Sequence, residues 1–255
     1  MCYAIIAASL FSGNYLLLGA ADSVQNGISR LGADLVVVPA DYAEKGEAVL
    51  LRGEPTTFFF GRNILPDVED ISGVSAAAPQ LYIATLDTAC CYLPVQLITF
   101  DSERDFTIIP WLREHDHPLL KKDEIMVGNL IVPDVGTSLK FYGHEFIISG
   151  KLDPTGTGLD TSIFIRKEDA AVMAKESKEK AVKELVLPES GVSAVLVKVQ
   201  NVSEINRIRD QISARIPGVK VLTPETLITR VTGQLNTLTK ILAMTALVAI
   251  LVSVP

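Results

Sequence analysis

Charge is distributed along this chain in blocks. Residues 1–21 contain no Asp, Glu, Lys or Arg, and neither do residues 241–255. The first block is about as long as the roughly 20 apolar residues that a bilayer-spanning helix requires. Helical spacing continues past it, with Val24, Ile28 and Leu31 at i, i+4, i+7 and Gly32 placed as a C-cap. A cleaved signal peptide is the competing reading. Against it, no basic segment precedes the apolar run, and no Ala-x-Ala site leads into loop composition. At the other end Thr223 and Pro224 supply an N-cap and a first helical residue, with Glu225 in the first turn. Leu227, Ile228, Val231, Leu235 and Leu238 then share one face, and from Ile241 the helix is apolar all round. That predicts a continuous rod of roughly 45 Å, at about 1.5 Å per residue. A buried C-terminal core helix is the plainer alternative.

Between the blocks the periods alternate. Ala33 to Pro39 is β-branched and nearly all apolar, which predicts a strand buried on both faces. Residues 41–63 read as loop, rich in Gly and charge, around an aromatic knot at Phe58, Phe59 and Phe60. Pro66 opens a short helix that Gly73 ends, and Val74 to Leu86 is a long strand. Near the far end the order recurs: strand Ala194 to Gln200, a helix capped by Ser203 with Ile205, Ile208, Ile212 and Ile216 on one face, and strand Val219 to Leu222. Two strand–helix–strand units from opposite ends of the segment can pair into one α+β sandwich. The sequence between them predicts strands at 95–100, 124–127 and 162–165, a hairpin over 139–148 turning at Tyr142-Gly143, and an exposed Lys- and Glu-rich helix at 168–180. The expected fold is therefore α+β with a β-rich insertion. The boundaries fall at 1–31, 32–92, 93–190 (the insertion), 191–223 and 224–255.

Charge and chemistry narrow the function. The net charge of −7 argues against a nucleic-acid partner, which needs a basic face. No P-loop is present, since Gly150-Lys151 has Glu145 where the first glycine must stand. There is no Gly-x-Ser-x-Gly elbow and no His-Glu-x-x-His helix, so the chain is expected not to be an enzyme. Cys90 and Cys91 are adjacent, a spacing that allows only a strained mutual disulfide. They could give a soft-metal contact with His115 or His117, or be small half-buried strand residues, which is the plainer reading. His144 follows a turn glycine and reads as an exposed hairpin residue. Phe58-Phe-Phe60 reads as a plug for a gap in the fold before a contact for lipid or a partner, and helix 168–180 as a solvated face.

A set of segments, in order, carries a resemblance. Gly32-Ala-Asp-Leu-Val-Val-Val-Pro39 directly follows the first apolar helix. Val68-Glu-Asp-Ile-Ser-Gly-Val-Ser-Ala-Ala-Ala-Pro79, Gln96-Leu-Ile-Thr-Phe-Asp101 and Asp123-Glu-Ile-Met-Val-Gly128 come next. Gly136 through Gly150 follows, and Gly158-Leu-Asp160 ahead of Ile163-Phe-Ile-Arg166 completes the set. Each is only strand and turn chemistry, but together they resemble the periplasmic core of MacB/FtsX/LolC-type ABC transporter permeases, flanked by transmembrane helices. The resemblance implies a porter-like α+β base with a β-rich second lobe, a cell-membrane location with the large domain outside, and two further helices beyond Pro255. It also implies an ABC ATPase partner that binds the ATP, so that this chain itself needs no cofactor, and a permease homodimer or heterodimer in the lipid bilayer with room for a periplasmic partner. Its mechanism would be mechanical. Asp22, Thr223 and Pro224 would be hinges where rod meets domain. A two-helix membrane sensor or adaptor with an outer ligand-binding domain is the alternative, and the cargo stays open.

Overall fold

The computed structural model describes residues 32–85, 93–101, 104–108, 120–188 and 191–227, with positions 229, 233, 237, 240, 241, 244 and 245 of a C-terminal helix. The apolar blocks 1–21 and 241–255 therefore lie outside the described residues, apart from Ile241, Met244 and Thr245. Among the described residues no helix is long and apolar enough to cross a membrane.

Strand β1, Leu35–Pro39, is buried at every position, as its unbroken apolar run requires. The segment after it is not all loop. It holds helix α1, Ala43–Arg52. Gly46 disguises this helix in the sequence, because glycine costs up to about 1 kcal/mol in a helix interior. Packing is close at this residue: a Cβ there would stand 3.1 Å from Val38 Cγ1 of β1. The aromatic knot does plug the fold. Phe58 and Phe60 are buried, and Phe58 stacks on Tyr42 with ring centroids 5.3 Å apart, while Phe59 is partly exposed.

Helix α2, Leu65–Glu69, carries Pro66 in its first turn. Strands β2 (Val74–Ala84), β3 (Gln96–Phe100), β4 (Glu124–Val127), β5 (Ser138–Phe141), β6 (His144–Lys151) and β7 (Ser162–Arg166) follow. Helix α3, Lys167–Lys180, is not simply a solvated face, because it buries Ala170, Met173 and Ser177, spaced i, i+3, i+7. Strand β8 is Ala194–Val199, helix α4 is Ile205–Arg215 and strand β9 is Val219–Leu222. The cap of the α4 region is Asn201, not Ser203: Asn201 Oδ1 accepts from the Ser203 N–H at 3.1 Å, and a 3-10 turn, Val202–Glu204, leads in.

The nine strands of the described residues form one mixed sheet in the order β5-β6-β4-β7-β3-β2-β8-β1-β9. Its β9-β1-β8-β2 end is antiparallel throughout, with α2 joining β1 to β2 and α4 joining β8 to β9. This is the β-α-β-β-α-β, ferredoxin-like arrangement, assembled from the two ends of the segment. Val68, Ile208 and Ile212 of its helices meet Leu35, Val195, Val197 and Val221 in one core. The central strands β3 to β7 continue the same sheet. Strand β2 serves both halves, pairing with β8 from Val74 to Gln80 and with β3 from Leu81 to Ala84. Pairs β3/β7 and β4/β6 are parallel. A second core of Ile83, Leu97, Ile125, Phe146 and Ile163 is closed by Ala170 and Met173 of α3. Residues 30–223 make one compact unit, and the helix from 224 belongs to another.

Candidate functional site

Strands β1 and β9 run antiparallel with Val36 opposite Leu222. The chain therefore comes into the sheet and leaves it at the same end, on neighbouring strands. Asp34 fixes the incoming side: its N–H donates to the Val197 carbonyl at 2.9 Å, and its Oδ2 accepts from the Val199 N–H at 2.8 Å. On the outgoing side Thr223 is buried and Pro224 begins the next helix. Two of the three residues singled out as hinges thus stand at this joint. Asp22 lies outside the described residues.

A groove of about 510 Å³ runs between α3 and the extended segment 184–188. The Leu185 N–H donates to Ser177 Oγ at 2.8 Å and ties that segment to the helix. Leu81 and Thr99 of β2 and β3 also line the groove. Lys167, Lys175, Lys178 and Glu184 supply its charged groups, and Lys178 is paired with Glu184 at 3.5 Å. Sequence reasoning passed over this feature, because it joins residues far apart in the chain.

His144 is a correction. It is 8 % exposed, with Nδ1 2.8 Å from Glu176 Oε2 and Nε2 3.0 Å from Asp123 Oδ1. The hairpin rule gave it to solvent, yet it alternates in phase with Phe146 and Ile148 on the buried face of β6, and that signal was available. Lys180 and then His144 hold the Glu176 carboxyl below its usual range. The trio fastens the β5–β6 hairpin and the turn before β4 to α3. Among the described residues no group of three or more His, Cys, Asp or Glu could hold a metal. Cys90, Cys91, His115 and His117 lie outside them.

Asp105 is 3 % exposed, one of several buried acids that no sequence pattern singles out. Its Oδ1 accepts from the Thr107 N–H (2.7 Å), the Thr107 hydroxyl (3.0 Å) and the Ile108 N–H (2.8 Å), while Oδ2 has no hydrogen-bond partner among the described residues. Burial pushes this carboxyl above its ordinary 3.8, against the pull of those hydrogen bonds. Burial, and then the charge of Asp105, raise the Tyr82 hydroxyl as well. A raised carboxyl binds its proton more tightly in the folded chain than in the unfolded one. Its destabilising effect is therefore absent below the unfolded value and grows as pH rises through the folded value. Asp105→Asn keeps the Oδ1 acceptor and removes this dependence. Unfolding free energies from urea titrations should separate in favour of the variant as pH rises above the ordinary carboxylate value of 3.8, by about 1.4 kcal/mol for each unit of elevation. A difference that does not change with pH would show that Asp105 is not held protonated.

No family model matches the sequence, and no curated protein matches it. Solved structures do. The chain is similar to the periplasmic region of MacB from Actinobacillus actinomycetemcomitans, at 7 % identity over 79 % of this chain and 94 % of that one, with a TM-score of 0.48. It is also similar to the extracellular domain of the noncanonic ABC-type transporter YknZ from Gram-positive bacteria, at 10 % identity over 75 % of this chain and 99 % of that one, with a TM-score of 0.43.

Proposed function

We propose that this chain is a permease subunit of an ABC transporter of the MacB/FtsX/LolC type, held in the cell membrane with residues 32–223 outside it. In this reading a separate ATPase subunit binds and hydrolyses ATP, two permease subunits pair, and the chain does mechanical work with no catalytic role of its own. The observation that carries the proposal is the pairing of Val36 with Leu222, which brings the incoming and outgoing ends of the domain together on adjacent strands. A domain gripped at one place by two neighbouring rods is displaced or rotated as a whole. One gripped at opposite ends would be stretched instead. The ordered motifs quoted above and the ferredoxin-like base built from both ends of the segment fit the same reading.

The rods work only if the joint is stiff. A Gly-Ser insert between Thr223 and Pro224 behaves as flexible coil and breaks that stiffness. With the partner ATPase present, the insert should leave ATP hydrolysis intact. It should abolish the ATP-driven change in distance between spin labels at Asp210→Cys on paired subunits. A full-amplitude distance change in the insertion variant would refute the mechanical model.

A further inference from the structure

The groove beside α3 has a composition that the permease reading does not use. Its walls are aliphatic: Leu81, Ala170, Ala174, Leu185, Val186 and Leu187. Among the described residues no aromatic side chain lines it, so they offer nothing for a ring or a nucleobase to stack on. Val186 is an exposed large hydrophobic residue on its wall. The volume of about 510 Å³ falls in the range of small-molecule sites, roughly 300–1,000 Å³. Polar side chains enter its lining at Thr99 and at the charged groups, Lys167, Lys175, Lys178 and Glu184. Lys178 is taken by Glu184. Lys167 and Lys175 make no ion pair among the described residues, and they lie eight positions apart on one face of α3, two turns and a fraction. In a chain of net charge −7, two unneutralised cations beside an aliphatic trough form a local reversal of sign.

We propose that this groove binds a single-chain anionic amphiphile of the fatty-acid class, its alkyl chain along the alanine and leucine walls and its carboxylate at the Lys167–Lys175 edge. An alkyl chain matches walls without hydrogen-bonding or stacking groups. A carboxylate supplies the charge that the lysine edge lacks. The inference does not lean on the permease reading, since binding is read on the chain directly.

The test is photolabelling of the full chain in lipid nanodiscs with a diazirine-bearing palmitate, mapped by peptide mass spectrometry. Label should concentrate in 167–188, be displaced by palmitate and not by hexadecanol, and fall at least about tenfold in Lys167→Glu/Lys175→Glu. Thermal unfolding of that doubly substituted chain confirms that it is folded, as expected for changes at exposed positions. Ala174→Phe, which fills the trough without touching charge, should lower labelling as well. Label confined to other segments overturns the proposal, as does equal competition by hexadecanol or undiminished labelling of the charge-reversed variant. Competition by an acidic amphipathic peptide but not by palmitate would also overturn it and give the groove to a protein segment.

Discussion

Alanine in place of Gly158 is expected to cost about 3 kcal/mol or more of folding stability. A Cβ at this position would lie inside contact distance of the Val49 carbonyl oxygen and the Gly53 backbone nitrogen. Both belong to the end of α1 and neither can swing aside as the tip of a side chain could. Retreat is blocked as well. Gly53 caps α1 with φ 64°, and a Cβ there would itself run into Thr161 Oγ1 and the Gly158 carbonyl. A Cβ at Gly128, just after β4, would likewise run into the Leu159 and Asp160 carbonyls. The loop around 158 is thus clamped between a helix of the base and the end of β4. Urea unfolding of Gly158→Ala beside Gly61→Ala measures the clamp, because a Cβ at 61 meets nothing within 4 Å. The control should stay within about 0.5 kcal/mol of the parent. Equal stability of the two variants would mean that the backbone relaxes and no clamp exists.

Asp160→Ala should cost about 3 kcal/mol by a different route. The buried carboxylate accepts the Thr155 N–H at 2.8 Å and the Thr155 hydroxyl at 2.9 Å on Oδ1, and the Gly156 N–H at 2.8 Å on Oδ2. Alanine leaves the buried Thr155 N–H without an acceptor, and strips the Gly156 N–H at the exposed tip of the turn of its partner as well. Asp160→Asn keeps one acceptor oxygen and should lose clearly less than the alanine variant. If Asn and Ala were equally damaging, charge rather than acceptor count would be holding the loop. Because both substitutions act on one short turn, Gly158→Ala/Asp160→Ala should lose less than the sum of the two singles.

These residues also mark what could be read in the sequence and what could not. Strands announced themselves wherever burial on both faces demanded an unbroken apolar run, as in β1, or where alternation was clean, as in the β5–β6 hairpin. Residues 124–127 came out as a strand to the residue. Gly158-Leu-Asp160 was noticed as a motif, but its reason was invisible: the partners of Gly158 are Val49 and Gly53, about a hundred positions away. Helix α1 is hidden by Gly46, which lies close against Val38 across the packing interface. His144 was misread because turn proximity was weighed above its phase with Phe146. The α3 groove needed a helix, two strands and a returning segment to be brought together, and no local pattern encodes that. The stretches most strongly flagged by composition, the apolar ends and the Cys90-Cys91 pair, fall outside the described residues.

The sheet order sets a timetable. Strand β1 has as its neighbours β8 and β9, and β8 lies between β1 and β2. As the chain emerges from the ribosome, β1 is made first among the described strands and can find no permanent partner until residues 194–199 have followed, nor its second until 222. Strands β2 to β7, by contrast, have one another and can assemble while synthesis continues. The half carrying the second core is thus free to form early, and the half bearing both ends of the domain closes last. Pairings across so long a stretch of chain are slow to form and leave a hydrophobic edge waiting in the meantime. For Val36, Val37 and Val38 that wait spans most of the domain, which makes β1 the segment on which an assisting chaperone would have most to act.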